Sequence, residues 1–209
     1  MWGKIIILIL ISAYSPKMYS QNFSFGLKSG FDIIDVINAT DNIKLPSKGS
    51  YHLELFGNYQ INKLFQLQIE PGFIEKGSWA TSSKEWREKY GYITCPFLLI
   101  ARPIKRVNIE IGSEFNYLIY AKLKSPDDKI SEHPQREYFY EFEISGVLGI
   151  SFNYLKDNQF GMRLSRGLTQ IWDSSQFIFP YNPPKFYNRY IEFFLRFPLF
   201  YLHKKENAT

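Results

Sequence analysis

The chain has 209 residues, enough for one domain with a sizeable core, and its 15 Tyr and 19 Phe favour strands and membrane interfaces. The net charge of +5 is scattered rather than clustered, which excludes the dense basic patch of a nucleic-acid binder. A single cysteine, Cys95 in the apolar run TCPFLLIA, excludes an internal disulfide and is read as a packing residue.

Residues 1–20 have the form of a secretory signal peptide. Lys4 supplies the positive start, and Ile5 to Ile11 is an apolar run too short to span a membrane as a helix. Cleavage is placed between Ser20 and Gln21. From residue 21 to 201 the chain alternates apolar and polar residues in strand-length blocks, the period of a pleated strand. The first strand is Asn22 to Phe31, and a long connection carrying Asn, Asp, Pro and Gly signals follows from Asp32 to Gly49. The second strand, Ser50 to Ile61, turns tightly at Asn62-Lys63 into the third, Leu64 to Lys76. Ser78 to Lys89 is a second long connection. Tyr90 to Arg102 is the fourth strand, and Pro96 predicts a bulge or local irregularity in it because proline removes a ladder donor. The fifth strand is Val107 to Tyr120. A third long connection, Leu123 to Glu137, leads to the sixth strand, Tyr138 to Tyr154. A turn at Lys156-Asp157-Asn158 leads to the seventh, Gln159 to Trp172. A fourth long connection, Asp173 to Asn188, precedes the eighth strand, Arg189 to Tyr201. Residues 202–209 read as a disordered C-terminal tail.

The fifth strand sets the interpretation. Val107, Ile109, Ile111, Phe115, Tyr117 and Ile119 share one face, whereas Asn108, Glu110, Glu114 and Asn116 share the other. The run exceeds the roughly 9–11 tilted residues that a strand needs to cross a bilayer. No later stretch has the length and apolarity of a transmembrane helix, so a membrane-spanning form of this chain has to be a closed barrel, in which every backbone group is bonded internally. The connections alternate long and short, the asymmetry of bacterial outer-membrane barrels with long extracellular loops and short periplasmic turns. The expected fold is therefore all-β, an eight-stranded antiparallel up-and-down transmembrane β-barrel in the bacterial outer membrane. A soluble calycin-like binder is the competing fold and would invert the two faces.

The predicted lining is charged. Glu54, Glu70, Glu110, Glu114, Glu141, Glu143 and Glu192 face Lys28, Arg102, Arg163 and Arg196. Buried charges persist only when paired, so a salt-bridge network is expected, with carboxylates in excess towards the outer end. It implies a plugged lumen whose pairs hold the strands in register. A narrow cation-preferring pore or proton path is the other possibility. Ile109→Arg on the lipid face is expected to be costly, and Glu110→Gln on the inner face much less so. His52, with Glu54 and Glu143 near it and Ser50 beside it, offers a His–carboxylate pair that could activate a nucleophile, but no motif fixes that geometry. His133 and His203 lie too far from it in sequence for a metal site. No catalytic, cofactor-binding or metal residues are assigned. The last long connection, with Phe177, Phe179, Tyr181, Phe186 and Tyr187 among three prolines, is the candidate partner- or ligand-binding loop: either it folds over the barrel mouth or it docks a protein or a stacked sugar.

FGLKSGFD, YHLELFGNYQINKLFQLQIEPGFIEKG, YGYITCPFLLIA, VNIEIGSEFNYLIYAK, GVLGISFNYLKDNQFGMRLSRGLTQI and NRYIEFFLRF, in this order, resemble the PorT-like outer-membrane β-barrel proteins of the Bacteroidetes. The resemblance covers most of residues 22–200 and rests on order and spacing. Thr94 departs from it, standing where a Glu is common before an apolar-Pro pair. The resemblance implies an eight-stranded barrel in the outer membrane. It also implies an association with protein secretion through the type IX system and with gliding. It brings no catalytic residues. The expected role is a non-enzymatic structural or accessory subunit of an envelope assembly, in contact with outer-membrane lipid and other envelope proteins. The alternative is a stand-alone small channel or ligand-binding barrel. No nucleic acid, cofactor or small-molecule substrate is expected.

Overall fold

The computed structural model describes residues 23–40, 43–79, 87–124, 135–154, 158–173 and 183–202. The expected leader at residues 1–20 and the tail from 203 onward lie outside them. The strands are β1 (Phe23–Asn38), β2 (Ile43–Lys44), β3 (Lys48–Gln60), β4 (Phe65–Ile69), β5 (Gly72–Lys76), β6 (Arg87–Ile104), β7 (Val107–Lys124), β8 (Phe142–Tyr154), β9 (Asn158–Gly167) and β10 (Phe186–Leu202). All pair antiparallel with their neighbours, and β1 pairs with both β3 and β10, which closes the sheet. β4 and β5 are two halves of one wall strand, and β2 is a two-residue appendage on β1, so the ring has eight strands. Among the described residues no helix is long and apolar enough to cross a membrane.

Two prolines explain the break in the wall. Pro71 has no N–H to donate, and the regular strand is interrupted at Glu70 and Pro71. The register does not lapse: Glu70 N donates to Pro96 O at 3.0 Å and Leu55 N to Pro71 O at 2.9 Å. Ile69 lies opposite Phe97 and Gly72 opposite Thr94, on a single alignment with β6. Pro96 itself sits in regular pairing opposite Glu114. The register shifts between β6 and β7 fall instead at Gly91/Tyr92 and Ala101/Ile104. Pro96 thus causes no bulge against β7, and the irregularity expected there lies on its other side, where the β4–β5 break faces it. The first tight turn is built by Asn62, whose Oδ1 accepts from Leu64 N at 2.8 Å and Phe65 N at 2.9 Å.

β1 is longer than its sequence pattern suggested. Asn and Asp signals placed a loop from Asp32 onward, yet β1 runs to Asn38 in continuous pairing with β10. The β-branched residues Ile33, Ile34 and Val36 favour that extension, and Asp32 has a buried partner that makes its inward position tolerable. At the other side of the barrel, β8 starts at Phe142 rather than Tyr138, because Gln135–Tyr138 form a 3-10 turn. β9 ends at Gly167, short of Trp172, which forms an isolated bridge with Phe139.

The faces are sorted as an outer-membrane barrel requires. Tyr51, Leu55, Ile93, Ile111, Leu148 and Phe193 stand exposed on the outside, while Lys28, Glu70, Glu110, Arg163 and Arg196 are buried inside. A soluble binder would have the reverse arrangement. An apolar cluster of Ile34, Ile74, Tyr90, Leu118, Ile171 and Tyr190 fills the lumen at the end with the long connections, with Phe139 and Phe186 packed on it. Close approach across β6 and β7 requires glycine at position 112: an added Cβ would lie 2.0 Å from Phe97 O and 2.9 Å from Leu98 Cα. Gly112→Val is expected to cost about 1–3 kcal/mol, as overpacking does. The measurement is the urea midpoint of folding into phospholipid vesicles, and an unchanged midpoint would show that the wall can part there.

Candidate functional site: the charged lumen

Side chains from six of the eight wall strands meet at mid-lumen. Alternation turns Lys28 (β1), Glu54 (β3), Glu110 (β7), Arg163 (β9), and Glu192 and Arg196 (β10) inward, and the β4–β5 break adds Glu70. Lys28 Nζ donates to Glu54 Oε2 at 2.6 Å and to Glu70 Oε2 at 2.9 Å, and it also contacts Glu192. Arg163 donates through Nε to Glu110 Oε2 at 2.7 Å and through Nη2 to Glu70 Oε1 at 2.8 Å. Arg196 reaches Glu110 through Nη1 at 2.7 Å and Nη2 at 2.8 Å, and Glu70 through Nε at 3.0 Å. Phe194 lies under all three cations, 4.4 to 5.1 Å from ring centroid to charge. That ring face gives them further electrostatic attraction in a desolvated place.

A second cluster lies nearer the outer end. Lys76 Nζ donates to Glu114 Oε1 at 2.8 Å and Glu143 Oε2 at 3.3 Å. It sits 5.2 Å from the ring centroids of both Tyr92 and Tyr190. Two carboxylates share one ammonium, and neutral donors supply the remaining bonds. The Tyr190 hydroxyl donates to Glu114, Asn188 Nδ2 to Glu143 at 2.9 Å, and Ser145 Oγ to Glu143 at 3.2 Å.

Of the residues named from the sequence for the lumen, Glu141 stands outside it, and Arg102 lies inside its short-turn mouth, apart from the charge network. Glu141 is exposed and pairs with Arg136 at 3.0 Å outside the barrel mouth. The sixth strand starts only after Glu141, so the alternation that would have turned it inward does not reach it. Arg102 is half-exposed at the short-turn end, where it donates to Asn108 Oδ1 at 3.1 Å and Gln66 Oε1 at 3.4 Å. Among the described residues it has no carboxylate partner, because the carboxylates sit further along the axis. Sequence reasoning missed Lys76, which it left as the last residue of a strand, and Asp32, which it assigned to a loop. The period of two runs through both positions, but at Asp32 the Asn and Asp turn signals compete with it, and at Lys76 the strand ends.

His52 is neither nucleophile activator nor open metal ligand. Its Nδ1 lies 2.9 Å from Asp32 Oδ2 and its Nε2 3.3 Å from Glu192 Oε1, and neither nitrogen bonds Ser50. Glu143, expected near it, belongs to the Lys76 cluster instead. His52, Glu54 and Glu192 offer ligand atoms within 4.8 Å of one another. Lys28 contacts both carboxylates, so the protein's own ammonium holds the place a metal would take. In the candidate loop, Phe177, Phe179 and Tyr181 lie outside the described residues. Phe186 packs against the apolar cap, and Tyr187 lines an outward pocket at the rim.

A closed ring of antiparallel strands, apolar outside and charged within, with its long connections at one end, defines a transmembrane β-barrel. The chain matches the outer membrane protein beta-barrel domain over residues 19–173 and belongs to that family; its place is the bacterial outer membrane. Neisserial surface protein A shares the fold, at a TM-score of 0.56 and 10% identity over 85% of this chain and 99% of that one. Ail, the attachment invasion locus protein of Yersinia pestis, is similar at a TM-score of 0.47 and 13% identity over 85% of this chain and 99% of its own. No curated protein matches the chain in sequence.

Proposed function

We propose that the protein is a non-enzymatic scaffold of the outer membrane, a structural or accessory subunit whose loops and turns contact other envelope proteins. Its resemblance to the PorT-like proteins of the Bacteroidetes points to a secretion-related assembly, and residues 1–20 are read as the leader that exports it. The carrying observation is the lumen: Lys28, Arg163 and Arg196 bond to carboxylates from opposite walls, with Phe194 among them. Opening a path through such a network means separating buried ion pairs, which costs several kcal/mol for each charge left alone. A barrel whose interior is spent on holding its strands together has its outer surface and loops left for function.

Two measurements test this reading. In planar bilayers the purified barrel is expected to give no stepwise conductance. After mild-detergent extraction from native outer membranes it is expected to carry stoichiometric protein partners, identified by mass spectrometry. Steady single-channel steps from a partner-free monomer would overturn the scaffold and establish the small channel.

A further inference from the structure

The outer wall between β8, β9 and β10 carries three chemistries stacked along the barrel axis. Lowest is an apolar strip, with Leu148, Leu164, Ile191 and Phe193 exposed to lipid. Next comes Arg166, directly opposite Arg189 across β9 and β10. Two arginines facing outward side by side repel each other, and each loses solvation where lipid replaces water. Arg189 is compensated: its Nε and Nη2 each lie 3.1 Å from an oxygen of Asp35. Arg166 is exposed and has no hydrogen-bond or ion-pair partner among the described residues. Its other cross-strand neighbour is Gly146. A Cβ there would meet only Leu168 carbons at 3.8 and 3.9 Å, so no side chain covers that flank of the guanidinium.

Above the arginines, at the extracellular rim, is an open pocket of about 550 Å³ lined by Tyr140, Glu141, Leu168, Gln170 and Tyr187 among others. It combines aromatic faces with amide and carboxylate groups, and Arg136 offsets the charge of Glu141. Leu168 borders both this pocket and the open flank at Gly146, so the two are neighbours on the wall.

From bilayer to rim the strip therefore offers an apolar wall, an uncompensated planar cation and an aromatic-polar pocket. We propose that it is a binding site for a phosphorylated glycolipid of the outer leaflet. The acyl chains lie on Leu164, Ile191 and Phe193. A phosphate takes a bidentate bond from Arg166, the geometry that guanidinium groups favour. The adjoining sugar stacks in the rim pocket against Tyr140 or Tyr187, while Glu141 and Gln170 accept and donate to its hydroxyls. Lipid is the natural source of the phosphate because the arginine emerges directly above the lipid-facing strip.

The test uses the full-length mature barrel in detergent with bisphosphorylated lipid A as the probe, and native mass spectrometry to count bound lipid. Heat-dependent gel mobility confirms that each variant is folded. Wild type is expected to retain one lipid A per barrel. Arg166→Gln is expected to weaken retention about tenfold, the scale of a lost charge-assisted pair. Gly146→Leu is expected to do the same by covering the flank while leaving the charge, and it adds only an apolar group on a lipid-facing wall. Dephosphorylated lipid A is expected to bind wild type as weakly as lipid A binds Arg166→Gln. The proposal fails if both variants bind like wild type. It fails also if phosphatidylglycerol displaces lipid A at equal mole fraction, which would make the pocket irrelevant, or if inorganic phosphate alone competes fully.

Discussion

Lys76→Met is expected to cost about 3–5 kcal/mol of folding stability, the range for stranding a buried ion-pair partner. Lys76 is fully buried and is the only cation among the described residues that pairs with Glu114 or Glu143. Its loss leaves two buried carboxylates facing each other. Tyr190, Asn188 and Ser145 still donate to them, but neutral donors do not cancel charge. The lesion lies in the stranded carboxylates rather than in a missing attraction, and a second experiment separates these. Adding Glu114→Gln and Glu143→Gln to Lys76→Met is expected to recover most of the loss, since an uncharged lumen of similar volume has little desolvation to repay. Arg136→Ala, which breaks an exposed pair with Glu141, is expected to cost only about 0–1 kcal/mol. Urea titration of all three proteins in micelles, followed by tryptophan fluorescence, measures the differences. If Lys76→Met unfolds at the wild-type midpoint, water rather than the ammonium stabilises the two carboxylates.

Lys76 also marks where the sequence stopped being legible. The alternation of Val107 to Tyr120 was enough to identify the wall, its lipid face and the inward position of Glu110 and Glu114, because a period of two persists along an unbroken strand. The same alternation places Lys28, Glu54, Arg163, Glu192 and Arg196 in the lumen, where the structure has them buried. It fails at strand ends. Whether Glu141 points in or out depends on where β8 begins, which a 3-10 turn some residues earlier decides. Whether Asp32 belongs to a loop or a wall depends on a distant partner, His52, and local turn signals carry no information about that. The pairing pattern within the lumen was not legible either. Sequence periodicity gives a residue's face but not its height along the axis, and height is what separates the Glu70–Glu110 cluster from the Glu114–Glu143 cluster. The lipid-facing Arg166 was assigned to no role in the sequence, because its meaning comes from Arg189 and Gly146 on neighbouring strands.

Ile109→Arg is expected to cost about 2–4 kcal/mol of stability in a bilayer if residue 109 lies near its midplane. Ile109 is exposed on the outer wall, with Ala101 and Ile150 as cross-strand neighbours and no acidic residue opposite. A guanidinium there has hydrocarbon around it and nothing to bond. The sequence alone ranked Glu110→Gln far below this change. The structure removes that ranking. Glu110 is fully buried and accepts from Arg163 at 2.7 Å, Arg196 at 2.7 and 2.8 Å, and Ser151 at 2.6 Å. Neutralising it leaves two arginines sharing the remaining carboxylates, and the loss of charged hydrogen bonds there is expected to cost at least about 2 kcal/mol. The two changes are adjacent in sequence and comparable in size, yet they act through different media. A micelle deforms around a guanidinium more easily than a bilayer, so the Ile109→Arg penalty is expected to shrink on transfer from vesicles to detergent. The Glu110→Gln penalty arises inside the barrel and is expected to stay the same. Equilibrium unfolding of both variants in each medium decides the matter. A wild-type midpoint for Ile109→Arg in vesicles would place that face away from lipid, and a medium-dependent Glu110→Gln would place Glu110 outside the lumen network.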